Sequence, residues 1–420
     1  MRVCSRRVVA AAVAAVAWVL PVRGAESPAG ADPGAQVASE GEAIPGLTGD
    51  WLGLRRQLIE KGIVIDPRII GEYSKVLRGG RDTEGCGAHY LFSLNLTVET
   101  EPLMNWKGGT FFTSFQVYDG QNSSDEVGDW QWVSNIDMDR ERDQLSEIWY
   151  EQRLLDDKVR LKAGKIEVNS DFAWPDWAAE FIHGSAGSPV SAAPVLPSYP
   201  ETAFGGSVFV EPCDCFYVGT GIFDGARAEG VQTGRTGPAT LLGEPADLFL
   251  IGEAGLKWKL GSQKLSGRFG AGLWHHTGEF AEFDGRAQSG NNGVYFLIDH
   301  AIWRENAAEA DDEQGIGMYV QFDLADPDVN EVDWHLGAGI AWIGVLPTRD
   351  QDAVGLGVQC AHFADDAGYD ADCEVAWETF YKIQVTDYLG VKADLQYVTN
   401  PGGGAARDAL VGLVRVELAF

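Results

Sequence analysis

Positive charge is scarce in this chain: 32 lysines and arginines stand against 62 acids, for a formal charge of −30. Without the four arginines of residues 1–24 (Arg2, Arg6, Arg7 and Arg23) that charge becomes −34. Such an acid excess repels phosphate backbones, so nucleic acid is excluded as a partner. Long apolar runs are also missing. The one candidate, Val8–Val22, follows a basic start and precedes the small residues Gly24-Ala25. It is shorter than the roughly 18 residues a spanning helix needs, and residues 1–24 read as a cleaved secretory signal. A membrane protein without spanning helices has to be a closed barrel. Cysteines number six, one of them (Cys4) in the signal. The others are Cys86, Cys213, Cys215, Cys360 and Cys373, and Cys213-Asp214-Cys215 lacks histidines at a zinc-ligand spacing. No metal or cofactor is expected. His183-Gly184-Ser185-Ala186-Gly187-Ser188 misses the G-x-S-x-G spacing of a hydrolase elbow, so no enzyme is expected either.

What the chain has is glycine, 52 residues, and aromatics at 11%. It also has a two-residue rhythm. The last segment sets Leu410, Val414, Val416, Leu418 and Phe420 on one face and Arg415, Glu417 and Ala419 on the other. The one before it sets Val391, Ala393, Leu395 and Tyr397 against Lys392, Asp394 and Gln396. Period two means strand. Apolar residues opposite ionised ones, strand after strand, fit a barrel with lipid outside and water inside. A dry core would have to pair each such charge.

Sixteen strands are expected, near 68–78, 88–100, 109–118, 144–154, 158–165, 204–211, 215–223, 248–260, 266–277, 292–305, 315–325, 333–345, 353–363, 373–386, 389–398 and 409–420. Short connections alternate with long ones at 119–143, 166–203, 224–247 and 278–291, as in an outer-membrane barrel with short periplasmic turns. Upstream, residues 25–45 are a flexible linker by composition, and 46–64 hold a short periplasmic helix. Thr48 or Asp50 can cap it and Gly62 can stop it. The barrel then runs over 65–420. The expected fold is all-β: a 16-stranded antiparallel transmembrane barrel.

Read by face, the lumen candidates are Glu147, Trp149, Glu151 and Arg153; Arg160 and Lys162; Trp274 and His276; Glu378, Lys382 and Gln384; Lys392, Asp394 and Gln396. A sugar offers hydroxyls and an apolar ring face, so polar groups beside aromatic rings suit it. Arg160 and Lys162 lead into 166–203, whose Phe172, Trp174, Trp177 and Phe181 are too apolar for a solvated loop. That loop is expected to pack into the lumen. Cys360 and Cys373 flank one hairpin loop and are expected to form a disulfide.

Several stretches together resemble the carbohydrate-selective porins (OprB type) of Gram-negative outer membranes. They include Leu47-Thr48-Gly49-Asp50-Trp51, Leu161-Lys162-Ala163-Gly164-Lys165 with Asn169 and Asp171-Phe172-Ala173, and Pro200-Glu201-Thr202-Ala203-Phe204-Gly205. Further on come Trp274-His275-His276-Thr277-Gly278, Glu378-Thr379-Phe380-Tyr381 and Leu395-Gln396-Tyr397-Val398-Thr399-Asn400-Pro401. The chain departs from the family at its mature cysteines, its acid-rich loops and at Asp299-His300. The resemblance implies passive passage of small sugars, inward-folded outer loops and an outer-membrane lipid environment. The terminal Phe420 resembles the signal read by the barrel-assembly machinery.

Overall fold

The computed structural model describes residues 46–241, 243–306 and 314–420. The expected signal and linker lie outside the described residues. A single 3-10 turn (Trp51–Gly53) leads into α1 (Leu54–Ile59). Thr48 Oγ1 accepts from Trp51 Nε1 at 2.9 Å, and Asp50 Oδ1 accepts the Arg56 N–H at 3.0 Å. Gly62, at φ 75°, ends the helical segment where few other residues fit. The first strand therefore begins at Ile63, earlier than its apolar alternation suggests.

The strands are β1 (Ile63–Gly80), β2 (Gly87–Glu99), β3 (Gly109–Gln121), β4 (Arg142–Leu154), β5 (Val159–Ile166), β6 (Ala203–Cys213), β7 (Phe216–Asp224) and β8 (Leu248–Leu260). They continue with β9 (Leu265–Ala281), β10 (Ala287–Arg304), β11 (Gly315–Ala325), β12 (Val332–Ile343), β13 (Ala353–Phe363), β14 (Cys373–Thr386), β15 (Leu389–Thr399) and β16 (Arg407–Ala419). Each pairs antiparallel with its sequence neighbour, and β1 with β16, so the sheet closes with no free edge. At the seam Glu72 of β1 lies opposite Arg415 of β16, and Arg415 Nε donates to Glu72 Oε1 at 2.5 Å.

Turns at one rim are short, as at 155–158, 214–215 and 387–388. The opposite rim carries 122–141, 167–202 and 225–247. The expected long connection 278–291 shrinks to 282–286, because β9 and β10 run on past the apolar band. There the residues (Gly278, Glu279, Gln288, Ser289) no longer alternate apolar with polar, so the pattern stops before the hydrogen bonds do.

Side chains divide as the alternation requires. Trp377, Ile383, Leu395, Tyr397 and Val414 are exposed on the outer, lipid-facing wall. Glu378, Lys382, Lys392, Asp394 and Gln396 point the other way and are buried. The cysteine pairing differs from expectation. Cys360 and Cys373 are free thiols, while Cys213 and Cys215 bridge each other. The β13–β14 register sets Cys360 opposite Val375 and Cys373 opposite His362, so the two thiols are diagonal rather than opposed.

Candidate functional site

The site is the lumen, and the loop 167–202 occupies it. An irregular segment inside a barrel has backbone N–H groups that need partners. The wall supplies them with inward carboxylates and amides. Glu253 Oε2 accepts the Ala173 N–H at 2.8 Å, and Asp299 accepts those of Asp176 and Trp177 at 2.5 and 3.1 Å. Glu378 takes the N–H groups of Ile182 and His183 at 2.6 and 3.2 Å. Gln321 and Asp323 take those of Gly187 and Ser191 at 2.9 and 2.7 Å.

Ion pairs fix the two ends of the crossing. Asp171 receives Arg160 Nη1 at 2.6 Å and Lys162 Nζ at 3.0 Å. Glu180 receives Lys382 Nζ at 3.0 Å and lies 3.6 Å from Lys392. Burial pushes the Asp171 carboxyl up, but Lys162 and Arg160 outweigh it and hold it below the usual range. Burial acts likewise on Glu180, and Lys382 and Lys392 outweigh it.

Between these anchors, aromatic rings seat on inward-facing glycines. Phe181 meets Tyr319 and Phe380 edge-on, with centroids 5.5 and 5.2 Å apart. A Cβ at Gly357 would lie 2.7 Å from the Phe181 ring, and one at Gly317 would lie 1.8 Å from Trp177. Gly317→Val should therefore unseat Trp177 while leaving the strands paired. The expected result is a higher single-channel conductance with unchanged heat-modifiable gel mobility; wild-type conductance would show that the ring does not narrow the pore.

Two further loops lie over this one. In 122–141, the Trp130 and Gln131 N–H groups bond Glu374 at 2.8 and 2.9 Å, and Asn135 Oδ1 accepts from Arg415 at 2.6 Å. In 225–247, Gly225 O lies 2.9 Å from His276 Nε2, and Gly234 O accepts from Lys165 at 2.5 Å.

The fourteen lumen candidates thus fall into three groups. All face inward, but Trp149, Glu151, Lys162, Trp274, His276, Glu378, Lys382, Lys392, Asp394 and Gln396 are buried beneath the loops, not lining open water. Trp149 stacks on Phe112 at 4.9 Å with Lys162 Nζ 4.2 Å from its ring, and Trp274 stacks on Phe249 at 6.1 Å. Glu147 and Gln384 are half-buried; Glu147 accepts from Trp149 Nε1 at 3.1 Å, and Gln384 donates to Thr386 O at 2.8 Å. Arg153 and Arg160 reach water, with side chains 38% and 24% exposed. Glu151 ties the two together at 3.0 and 3.2 Å, and Arg160 lies over the Phe209 ring at 4.4 Å.

Besides the wall groups that hold the loops, such as Glu253, Asp323 and Glu374, sequence reasoning missed four charged residues around the narrowing segment. Asp171 and Glu180 are the anchors just described. Arg268, 24% exposed, and Asp176, 79% exposed, lie 3.9 Å apart at the loop's midpoint. The signal for Asp176 was its place in an aromatic loop; nothing in the alternation marked Arg268 as more than one inward residue among many.

A closed barrel narrowed by a pinned inward loop is a channel, and the family follows from the sequence match. The family model described as "Carbohydrate-selective porin, OprB family" matches residues 84–420. The chain belongs to the OprB family of porins. It is an outer-membrane β-barrel. The chain is 25% identical over 419 residues to Porin B of Pseudomonas aeruginosa, covering 89% of this chain and 91% of the relative. Its fold matches the high-pH structure of Pseudomonas putida OprB with a TM-score of 0.78 at 20% identity, over 91% of this chain and all of the other. The low-pH structure of the same protein matches with a TM-score of 0.60 at 18% identity, over 90% of this chain and 99% of the other.

Proposed function

We propose that this OprB porin passes small neutral sugars by passive diffusion, through a lumen narrowed by 167–202. The observation that carries this reading is the pinned loop, with Arg153, Arg160, Arg268 and Asp176 among the charged groups that stay exposed to the water-filled passage around it. Guanidinium groups donate and carboxylates accept, so the two together offer a hydroxyl-covered solute both kinds of partner. The protein moves its solute and does not convert it. Much of the acid excess lies in outer-rim loops, at Asp125, Asp139, Glu229, Asp328, Asp365 and Asp370. Charges at a mouth act over about a Debye length, ~10 Å at 0.1 M salt. They bias entry toward cations at low salt only. The direct test is swelling of loaded liposomes with a panel of mono- and disaccharides. Saturable uptake supports the reading. Fast, non-saturating entry of ions and sugars alike would indicate a general cation-preferring porin.

Lipid covers the outer apolar wall, and we assign Phe420 as the residue the barrel-assembly machinery reads. Its N–H donates to Pro67 O at 2.9 Å, beside the β1–β16 seam. Phe420→Ser should lower the amount of folded, heat-modifiable barrel in the membrane without changing precursor levels. Unaltered heat-modifiable mobility and yield would sink that assignment.

A further inference from the structure

Trp132 is the odd residue of the loop 122–141. Its φ is 66°, in the left-handed region that a bulky side chain avoids. Its neighbours are held fast. Gln131 Nε2 donates to Glu374 O at 3.1 Å, Gln396 Nε2 donates to Val133 O at 2.8 Å, and Val133 N donates to Ser124 Oγ at 3.0 Å. Trp132 O itself accepts the Gly184 N–H of the narrowing loop at 2.8 Å. Gln131 and Val133 are 4% and 0% exposed, whereas Trp132 is 38% exposed. A strained backbone persists when its surroundings over-determine it, and such positions cluster at ligand sites. Packing explains this one only in part, because more than a third of Trp132 stays exposed while both of its neighbours are buried. Glycine would hold the same turn without strain.

From this we infer that Trp132 is an aromatic platform at the outer mouth, stacking on the apolar face of a sugar before it enters the passage narrowed by 167–202. The inference rests on the sugar-porin reading above. The position suits the role. The loop 122–141 joins β3 to β4 at the rim away from both chain ends, and Trp132 sits directly against the loop that sets the bore. An aromatic face is attractive to the C–H-lined faces of sugar rings, so it would draw sugars to the mouth. Trp130, two residues before it, and Tyr369 of the β13–β14 loop both donate to the exposed Glu331 Oε2 at 2.8 Å. That holds two more rings at the same rim beside a hydroxyl-accepting carboxylate.

The experiment uses the full-length porin in planar bilayers, with glucose and maltose added on the outer side and block of the ion current recorded. Trp132→Gly relieves the left-handed strain, so it should fold with unchanged heat-modifiable mobility and wild-type sugar-free conductance. Its half-blocking sugar concentration should rise roughly three- to tenfold, the effect of losing one aromatic contact. Trp132→Phe should recover most of the block. A Trp132→Gly channel blocked at wild-type sugar concentrations overturns the inference. So does a change in sugar-free conductance that accounts for the altered block, which would mean the ring only shapes the loop. If wild-type channels show no block and loaded liposomes do not swell, the sugar-porin reading fails and this inference fails with it. Swelling with a normal Trp132→Gly block sinks the platform alone.

Discussion

Glu180→Ala should open the pore. Lys382 and Lys392 both reach the side chain of Glu180, at 3.0 and 3.6 Å. Removing it leaves two lysines buried in the lumen without that carboxylate, a loss of about 3–5 kcal/mol where one partner of a buried pair is deleted. That exceeds what the neighbouring Phe181 ring contacts return, about 0.5–1.5 kcal/mol each beyond burial. The segment around 176–183 should therefore loosen from the wall. Single-channel conductance should rise several-fold and sugar block should weaken in parallel. Glu180→Gln keeps an acceptor but not the charge, and should fall between the two. Wild-type conductance in Glu180→Ala would show that backbone bonds to Glu378 and Asp299 hold the loop without it.

The same anchors set how the pore responds to acid. The Asp171 and Glu180 carboxyls are held below the ordinary range, so their contribution is fully present above their unfolded values, near 4, and is lost only as pH falls through the lower folded values. These two anchors should thus hold unchanged from neutral pH down to about 5 and weaken only in more acid conditions; a conductance change nearer neutral pH would come from other groups, such as Glu167, whose carboxyl burial pushes up to about 7.

The barrel was readable because its signal is local. Alternation at positions such as 391–397 and 410–420 reports which face meets lipid, and lipid tolerates no charge. The site was harder to read because its contacts are not local. Glu180 and Lys382 are 202 residues apart in sequence, and Trp130 and Glu374 are 244 apart. Alternation correctly turned Lys382, Glu378 and Gln396 inward. It had no means of showing that a loop would cover them, because an inward charge looks the same whether it meets water or a backbone N–H. The aromatic content of 166–203 did announce a loop that would fold inside. The glycines that receive it, Gly317, Gly339 and Gly357, read only as gaps in the apolar pattern. Asp299 is one of the wall carboxylates that hold the loop.

Arg160→Ala with Lys162→Ala should have an effect of comparable size at the other end of the loop, by a related route. Both cations close on Asp171, which is itself buried. Taking both away strands a buried carboxylate, again about 3–5 kcal/mol. The segment 168–173 should detach, and ion flow should widen. The single variants separate anchoring from contact. Lys162 is buried, with its Nζ on Asp171 and 4.2 Å from the Trp149 ring, so Lys162→Ala should raise conductance and alter sugar block only as far as the bore changes. Arg160 also reaches water over the Phe209 ring, so Arg160→Ala should weaken sugar block beyond what its conductance change explains. Plotting block against conductance for the three variants tests this directly. If all three fall on one line, Arg160 is an anchor and nothing more; if Arg160→Ala lies off it, the guanidinium meets the sugar.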